Sequence, residues 1–394
     1  MLTHIRLQGF KSFVDQGVAV SPRTVCVGPN ASGKSNFFDA LRFLKGMALG
    51  FPVWETLNGH QEGGTLTWPG VRGGIEVART DSPELSITTG WEIGGRKFEH
   101  SITCSIGVNA YIVHERVEGQ RVAEFWARTP SSGNDFGIGE ASVPRDGGGQ
   151  VRIPIADVTC SHIARQSVGW DMDPDIEQVY AAMRAITTLD VRPDLMRGWV
   201  SRSVRELGGN AENLSGVLWR LCQDAQKKQA IIDWLRTLCA PELADLGFIE
   251  IPNVGDVMLA LIETNGIPVT ARSLSDGTLH FLGMLMAIYT APANAMLLLE
   301  ELDAGLHPSR LRALVEAFER SGDPAAQILA TTHSPYVLAA LDKPQLRDAI
   351  MFNRSPLVPG SLVRRLGDLP DFDEVEARLG IVRMFETEWL EQAL

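Results

Sequence analysis

Residues 28–35 carry the pattern G-x-x-x-x-G-K-S, which limits the fold more than any other feature of the chain. A short apolar strand over 24–27 precedes it and an apolar helix over 36–44 follows it, which is the context in which this pattern binds phosphates. Its glycines let backbone N–H groups surround a phosphate chain, and the helix adds the positive end of its dipole. The sequence therefore predicts a strand, a phosphate-binding loop and a helix within an α/β fold.

Two side chains of this loop have predicted tasks of their own. Lys34 supplies a positive charge for the β- and γ-phosphates of a nucleotide. The hydroxyl of Ser35 is the expected ligand of a Mg²⁺ ion.

A second motif, over 296–301, is an apolar strand that ends in two carboxylates. The sheets of α/β proteins place their ligands at the carboxyl ends of strands. Since neighbouring strand residues point to opposite faces, Glu300 and Glu301 are expected to have different tasks. One would belong to the magnesium shell, and the other would orient and deprotonate an attacking water. The alternative is that both residues face solvent at a strand end.

Two shorter segments could also contact a phosphate. Ser275, in the L-S-D-G-T segment 274–278, suits an N-cap. That segment is either a capped helix start alone or a second anion-binding helix terminus. His333 follows a short apolar strand and could donate a hydrogen bond to a γ-phosphate or to the attacking water; a structural histidine is the alternative.

Taken in chain order, these segments resemble the motifs of ABC ATPases of the RecF/SMC/OLD type. The resemblance covers roughly 1–45 and 210–340, and the remaining chain contributes little to it. The similar segments are 5–13 for the first strand, 28–36 for the Walker A loop, 274–278 for the signature motif, 300–308 for Walker B and the D-loop, and 332–335 for the switch histidine.

The resemblance implies an α/β fold: a P-loop ABC-type ATPase head with a mixed or parallel core sheet, a β-rich N-terminal subdomain and an α-helical lobe. We expect residues 1–165 to form the first part of the ATPase core with the β-rich subdomain. Residues 166–290 would form the helical lobe, which ends in the signature helix. Residues 291–394 would hold Walker B, the D-loop, the switch histidine and an acidic tail.

The resemblance also implies the cofactors ATP and Mg²⁺ and a set of site residues. Glu300 stands where many members have Asp, and His307 stands where SMC proteins usually have a D-loop Asp. The expected catalytic residues are Glu301, His333 and Lys34, and the expected metal ligands are Ser35, Glu300 and Gln166 of the Q-loop. The expected nucleotide contacts are Gly28, Pro29, Asn30, Ala31, Ser32, Gly33, Lys34, Ser35, Asn36, Ser275, Gly277 and Asp303.

A head-to-tail homodimer is the assembly that the resemblance implies. One subunit would bind Mg-ATP, and its partner would bring Ser275 and Gly277 to the γ-phosphate. ATP would then act as a two-state switch in DNA repair or maintenance, or in anti-phage defence. The chain has no long coiled coil and no second catalytic motif, so we expect a separate effector protein, such as a nuclease.

Two alternatives belong to other functional classes. The first is a DNA-binding clamp whose grip ATP controls, because 184–236 holds nine basic residues against six acidic ones in a chain of net charge −12. The second is the nucleotide-binding subunit of a membrane transporter. That reading is disfavoured because the interval between Ser35 and Leu274 is much longer than a compact transporter domain uses.

Neither the apolar stretches nor the cysteines predict a membrane or secreted protein. The 23 uncharged residues over 277–299 are divided by Pro292 and Asn294, so a buried helix and a buried strand are expected there. The five cysteines are widely spaced with no C-x-x-C, which favours a reduced compartment without a zinc site. We expect the protein to be cytoplasmic, without a membrane partner.

Overall fold

The chain forms two compact units. The first unit contains Met1–Ile186, Arg347–Phe372 and Glu388–Leu394, and the second contains Thr187–Leu346 and Asp373–Thr387. The computed structural model describes residues 1–78, 83–106, 110–128, 138–144, 149–155, 157–161, 163, 174–239, 242–251, 253–320, 323–355 and 357–394.

The strands and helices alternate along much of the chain. The strands are β1 (Leu2–Phe10), β2 (Phe13–Ala19), β3 (Arg23–Val27), β4 (His60–Glu62), β5 (Thr65–Trp68), β6 (Glu84–Ile93), β7 (Arg96–Ile106), β8 (Ala110–Glu118), β9 (Val122–Arg128), β10 (Ile138–Pro144), β11 (Gln150–Ile155), β12 (Ile186–Leu189), β13 (Val200–Ser201), β14 (Leu243–Glu250), β15 (Asp256–Glu263), β16 (Pro268–Thr270), β17 (Met296–Leu299), β18 (Gln327–Thr332), β19 (Ile350–Arg354) and β20 (Ser361–Arg365). The α-helices span Lys34–Ala48, Val53–Asn58, Gly74–Ala78, Pro174–Arg184, Leu214–Leu221, Ala225–Cys239, Asp276–Thr290, Pro308–Arg320, Pro335–Ala340, Lys343–Asp348, Phe372–Leu379, Ile381–Glu386 and Trp389–Gln392.

An eight-stranded antiparallel sheet dominates the first unit. Its strand order is β11-β10-β9-β8-β7-β6-β1-β2. The alternating residues over 2–10 and 14–20 predict an edge hairpin, and β1 and β2 form that hairpin at one edge of the sheet. Alternate residues of β6, such as Leu85 and Ile87, are fully buried, as expected for a sheet with one face on a core. The predicted β-rich subdomain is confirmed.

The glycines of segment 130–150 predict a mobile loop, but this prediction is wrong over 138–144, where β10 pairs with β9 and β11. A Cβ on Gly139 would lie 2.5 Å from the ring of Phe125, so this glycine serves close packing within a strand rather than a turn. Within this interval, residues 130–137 and 145–148 lie outside the described residues.

The phosphate loop follows β3, which is buried along most of its length. β3 pairs with β19 in parallel, and β19 pairs with β20 in antiparallel register. The helix Lys34–Ala48 follows the loop, and its Phe37 ring packs edge-on against Phe352 of β19 at 5.4 Å between centroids. The predicted strand, loop and helix are therefore confirmed.

The described part of the second unit includes strands of two sheets and a helix that is buried over 278–288. Strands β12, β17 and β18 lie side by side, with β17 and β18 parallel, and β13, β14, β15 and β16 form an antiparallel sheet. The uncharged stretch forms the helix Asp276–Thr290 and strand β17, as predicted, and both are buried. Among the described residues, no helix has the length and apolarity needed to cross a membrane.

Apolar residues recur at helical spacing over 213–239, and this segment forms two helices. The first helix ends at Leu221 and the second begins at Ala225, with a turn at Cys222–Asp224 between them. Asp224 accepts hydrogen bonds from the backbone N–H groups of Gln226 and Lys227, and such local caps favour a new helix start over continuation of the first helix.

Candidate nucleotide-binding site

The backbone of the phosphate loop needs both of its outer glycines. Gly28 has φ 150°, and a Cβ there would lie 2.1 Å from the carbonyl oxygen of Phe352. Gly33 has φ 116°, and a Cβ there would lie 2.5 Å from Ser361 Oγ. Any other residue would meet β19 at position 28 and β20 at position 33, so both positions require glycine.

The helix that follows the loop begins without a side-chain cap. Gly33 occupies the N-cap position, and the first helical hydrogen bond runs from Phe37 N–H to Gly33 O at 2.9 Å. The N–H groups of the first turn therefore have no acceptor within the helix, and they point towards the loop. Together with the helix dipole, this arrangement favours a bound anion.

Lys34 is buried inside the loop, at 5% exposure. Its Nζ donates hydrogen bonds to Gly28 O at 2.7 Å and to Pro29 O at 2.8 Å, which hold the ammonium group against the loop backbone. Cys26, in the strand β3 that precedes the loop, is fully buried. Burial raises the pKa of its thiol to about 12, although the nearby charge of Lys34 acts to lower it. The thiol is therefore neutral at physiological pH.

The remaining loop residues fit a nucleotide phosphate. Ser32 Oγ is buried and has no hydrogen-bond partner within the described part of the chain, while Ser35 is exposed at the first helical turn. Asn36 Nδ2 donates to Ser12 Oγ at 2.9 Å, so its side chain braces the loop against the turn after β1. An uncapped helix terminus and a buried lysine make a site complementary to a polyphosphate.

A buried ion-pair cluster beneath the loop was missed by the sequence analysis. Asp39 is fully buried and accepts a hydrogen bond of 2.6 Å from Lys11 Nζ and one of 3.3 Å from Arg72 Nε. Arg72 also donates from Nη2 to the carbonyl oxygen of Ser35 at 3.1 Å. Burial lowers the pKa of Lys11, while Asp39 opposes that shift. A carboxylate on the apolar face of a helix was the available signal, because such a charge needs partners.

In the second unit, the signature segment 274–278 starts its helix with the predicted cap. Ser275 Oγ accepts a hydrogen bond from Thr278 N–H at 3.2 Å and lies 2.8 Å from Thr278 Oγ1. Ser275 and Asp276 are exposed at this helix tip.

Arg197 anchors the backbone of this segment, and it too was missed from the sequence. Its Nη1 donates to three carbonyl oxygens, those of Ala271 and Arg272 at 3.0 Å and that of Leu274 at 2.8 Å. Its Nη2 pairs with the carboxylate of Asp276. One guanidinium therefore fixes both the approach to the helix and its first turn.

The two glutamates lie outside strand β17, so strand alternation does not determine which faces they point to. Strand β17 ends at Leu299, and Glu301 has φ 52°, a left-handed conformation. The N–H of Glu300 donates to Leu189 O at 3.0 Å, and the N–H of Glu301 donates to Thr331 Oγ1 at 2.9 Å. Both glutamates therefore lie beyond the strand, and Glu301 begins a turn in which its carbonyl oxygen accepts a hydrogen bond from Ala304 N–H.

The D-loop and the switch segment are joined by one hydroxyl. Thr332 Oγ1 donates to Asp303 Oδ1 at 2.5 Å and accepts from the N–H of Ser334 at 3.0 Å. His333 lies between Thr332 and Ser334 in the chain, and it is exposed. The switch histidine is thus carried on a backbone that Asp303 holds in place.

His280 lies one turn beyond Gly277 in the signature helix and is 4% exposed. Burial lowers the pKa of its imidazole to about 4, while the nearby carboxylate of Asp303 opposes the shift. Its Nδ1 has no hydrogen-bond partner among the residues that the structure describes. A neutral imidazole therefore packs between the signature helix and the D-loop.

The predicted site residues fall into two groups. The first unit carries 28–36, and the second carries Ser275, Gly277, Glu300, Glu301, Asp303 and His333. Gln166 lies outside the described residues.

The family of this chain is shown by a match to a family model described as "AAA domain, putative AbiEii toxin, Type IV TA system". The match covers residues 23–108 and 200–339, more than half of the chain, and includes the phosphate loop, the signature segment, both glutamates and His333. The chain belongs to this AAA domain family, which is a class of ATP-binding ATPases. The α/β fold with a phosphate loop that the sequence predicted is confirmed.

Two curated relatives match short stretches of the chain. Chromosome partition protein Smc of Bordetella petrii is 51% identical over 49 residues, which are 12% of this chain and 4% of that protein. Urease accessory protein 2 of Cryptococcus neoformans var. grubii is 59% identical over 44 residues, which are 10% of this chain and 4% of that protein. The matches thus span only a small fraction of either relative's length.

Similar solved structures include three SMC heads. The SmcHead bound to the C-winged helix domain of ScpA is 13% identical with a TM-score of 0.49, over 92% of this chain and 96% of that one. The Smc head with an extended coiled coil bound to the C-terminal domain of ScpA, from Pyrococcus furiosus, is 12% identical with a TM-score of 0.47, over 96% and 99%. The SMC head domain from Thermotoga maritima is 15% identical with a TM-score of 0.41, over 92% and 98%.

Proposed function

We propose that this protein binds Mg-ATP through residues 28–36 and hydrolyses it to ADP and phosphate. The uncapped helix terminus at Gly33, with the buried ammonium of Lys34 inside the loop, is the observation that carries the proposal. Bound Mg²⁺ would neutralise charge on the β- and γ-phosphates. Ser35, Glu300 and Gln166 are the residues that we assign to the metal.

Glu301 is the proposed general base. Its carboxylate would orient the attacking water and accept a proton from it, and His333 would donate a hydrogen bond to the γ-phosphate. Asp303 would act with them at the nucleotide and hold the switch segment through Thr332. The exposure of Glu301 and His333 supports these roles, because both groups are accessible to a ligand.

We further propose that two copies associate head to tail when ATP is bound. Ser275 and Gly277 of one copy would contact the γ-phosphate held by the other. The exposed helix tip supports this arrangement, since Ser275 is accessible there and the amides of a first helical turn favour an anion. Contacts made only in the closed pair would make ATP a two-state switch.

The proposed biological role is defence against phage, with a separately encoded effector such as a nuclease. The family description, which refers to a toxin and a toxin–antitoxin system, favours this role over DNA repair or maintenance. Hydrolysis would then reset the switch that controls the effector.

An ATPase assay tests the catalytic assignment. Glu301→Gln keeps the shape of the side chain but removes the base, so kcat should fall by roughly a hundredfold or more with ATP binding retained. Glu374→Gln is the matched control, because Glu374 is an exposed glutamate outside the predicted motifs. Equal turnover in wild type and Glu301→Gln would remove Glu301 from this role.

A further inference from the structure

Most basic residues of the interval 184–236 are already paired within the protein. Seven of the nine lie within 4.0 Å of a carboxylate: Arg184 with Glu177, Arg192 with Asp194, Arg197 with Asp276, Arg202 with Glu250, Lys227 with Asp224, Lys228 with Asp245 and Arg236 with Asp233. The side chains of Arg205 and Arg220 have neither an ion pair nor a hydrogen bond with any described residue. The interval therefore leaves two available cations rather than a continuous basic track.

These two arginines line one cavity of the second unit. The cavity has a volume of about 290 Å³, and its apolar wall includes Leu189, Ala287 and Leu297. Glu206 also lines it, so the charged side chains at the cavity are two cations and one anion. The hydroxyl of Thr290, another lining group, is occupied by its hydrogen bond to Met286 O at 2.6 Å.

We propose that this cavity binds a small phosphorylated molecule with an apolar body. Each guanidinium offers five N–H donors in a planar arrangement that matches phosphate oxygens. The two arginines outweigh the charge of Glu206, so the cavity is net positive and favours an anion. The apolar wall then accommodates the uncharged part of the ligand. A volume of about 290 Å³ lies at the lower end of ligand pockets, roughly 300–1,000 Å³, so it holds one small molecule and not a polymer.

The cavity contains none of the residues assigned to ATP. It borders β17 and the last turn of the helix Asp276–Thr290, at the opposite ends of these elements from Glu300 and Ser275. Its ligand can therefore be tested without ATP turnover.

Titration calorimetry with phenyl phosphate tests the proposal. The background is Lys34→Ala, which weakens phosphate binding at the loop 28–36. Adding Arg205→Ala and Arg220→Ala should weaken phenyl phosphate binding by about tenfold or more, because both charged hydrogen-bond donors of the cavity are lost. The matched control adds Lys227→Ala and Arg236→Ala, which remove the same charge from exposed, paired positions and should leave affinity unchanged.

A second arm tests the apolar wall with all charges kept. Ala287→Leu fills the cavity and should weaken phenyl phosphate more than inorganic phosphate. Phenol, which lacks the anion, should not bind. No binding of phenyl phosphate in the Lys34→Ala background would overturn the proposal, as would equal affinity after loss of both arginines. Duplex DNA affinity that falls with Arg205 and Arg220 while phenyl phosphate affinity does not would also overturn it, in favour of a DNA surface.

Discussion

Gly277 of the signature segment and Gly305 of the D-loop pack backbone against backbone. A Cβ built on Gly277 would lie 2.4 Å from the carbonyl oxygen of Gly305, and Gly305 itself has φ 69°. Both positions therefore need glycine, one for space and one for conformation. The first turn of the helix Asp276–Thr290 and the D-loop are thus in close contact within the second unit, although they are separated in sequence.

Gly277→Ala should displace the D-loop from the signature helix. We expect a loss of stability of about 1–3 kcal/mol and a marked loss of ATP turnover, because the added methyl group meets backbone that cannot rotate away. Thermal unfolding and an ATPase assay measure both effects. Gly198→Ala is the control, since a Cβ there meets nothing within 4 Å. A Gly277→Ala protein with wild-type stability would contradict the close approach.

Thr332→Val removes the hydroxyl between Asp303 and Ser334. The substitution removes the hydrogen bond of 2.5 Å to Asp303 and the acceptor for the N–H of Ser334. Because Thr332 is fully buried, water does not replace the lost partners easily. We expect a loss of about 1–3 kcal/mol in urea denaturation and a lower kcat. Thr264→Val, an exposed substitution in the same unit, should change neither quantity.

Arg197→Lys keeps the charge but not the planar array of donors. A lysine cannot reach three carbonyl oxygens and a carboxylate together, so the backbone over 271–276 should exchange its amide protons faster. Hydrogen–deuterium exchange measures this directly. Arg272→Lys should leave the exchange rates as they are, because the Arg272 side chain is exposed and outside this network. Unchanged protection in Arg197→Lys would show that the anchor lies elsewhere.

His280 should make the protein less stable in mild acid. Burial lowers the pKa of its imidazole from 6.5 to about 4, so protons bind the unfolded chain more tightly than the folded one. The contribution of the neutral imidazole to the free energy of unfolding is complete above pH 6.5. It falls by up to about 3 kcal/mol as the pH falls towards 4. Urea denaturation from pH 7 to pH 4 should show a shallower loss for His280→Phe than for wild type. Parallel pH profiles would contradict the assignment.

Features that depend on a few adjacent residues could be predicted from the sequence. The phosphate loop between β3 and its helix, the cap at Ser275 and the N-terminal hairpin all follow local patterns, and the structure has each of them. Features that depend on distant residues could not. Arg197 meets Leu274 across 77 positions, and no local pattern marks that pairing.

The turn at the two glutamates shows a different limit. Alternation along a strand would have placed Glu300 and Glu301 on opposite faces, but β17 ends one residue before Glu300. Glu301 then takes a left-handed conformation, which glutamate rarely adopts and which its sequence does not signal. The tertiary hydrogen bond from its N–H to Thr331 is what holds it there.

Equilibrium binding of Mg-ATP to wild type and Lys34→Ala tests the central claim most directly. The account predicts one bound nucleotide per chain and an affinity about tenfold or more lower in Lys34→Ala, because the buried ammonium group is the charge inside the loop. Lys97→Ala, which removes an exposed lysine, should bind ATP as wild type does. Equal affinity in wild type and Lys34→Ala would contradict the account.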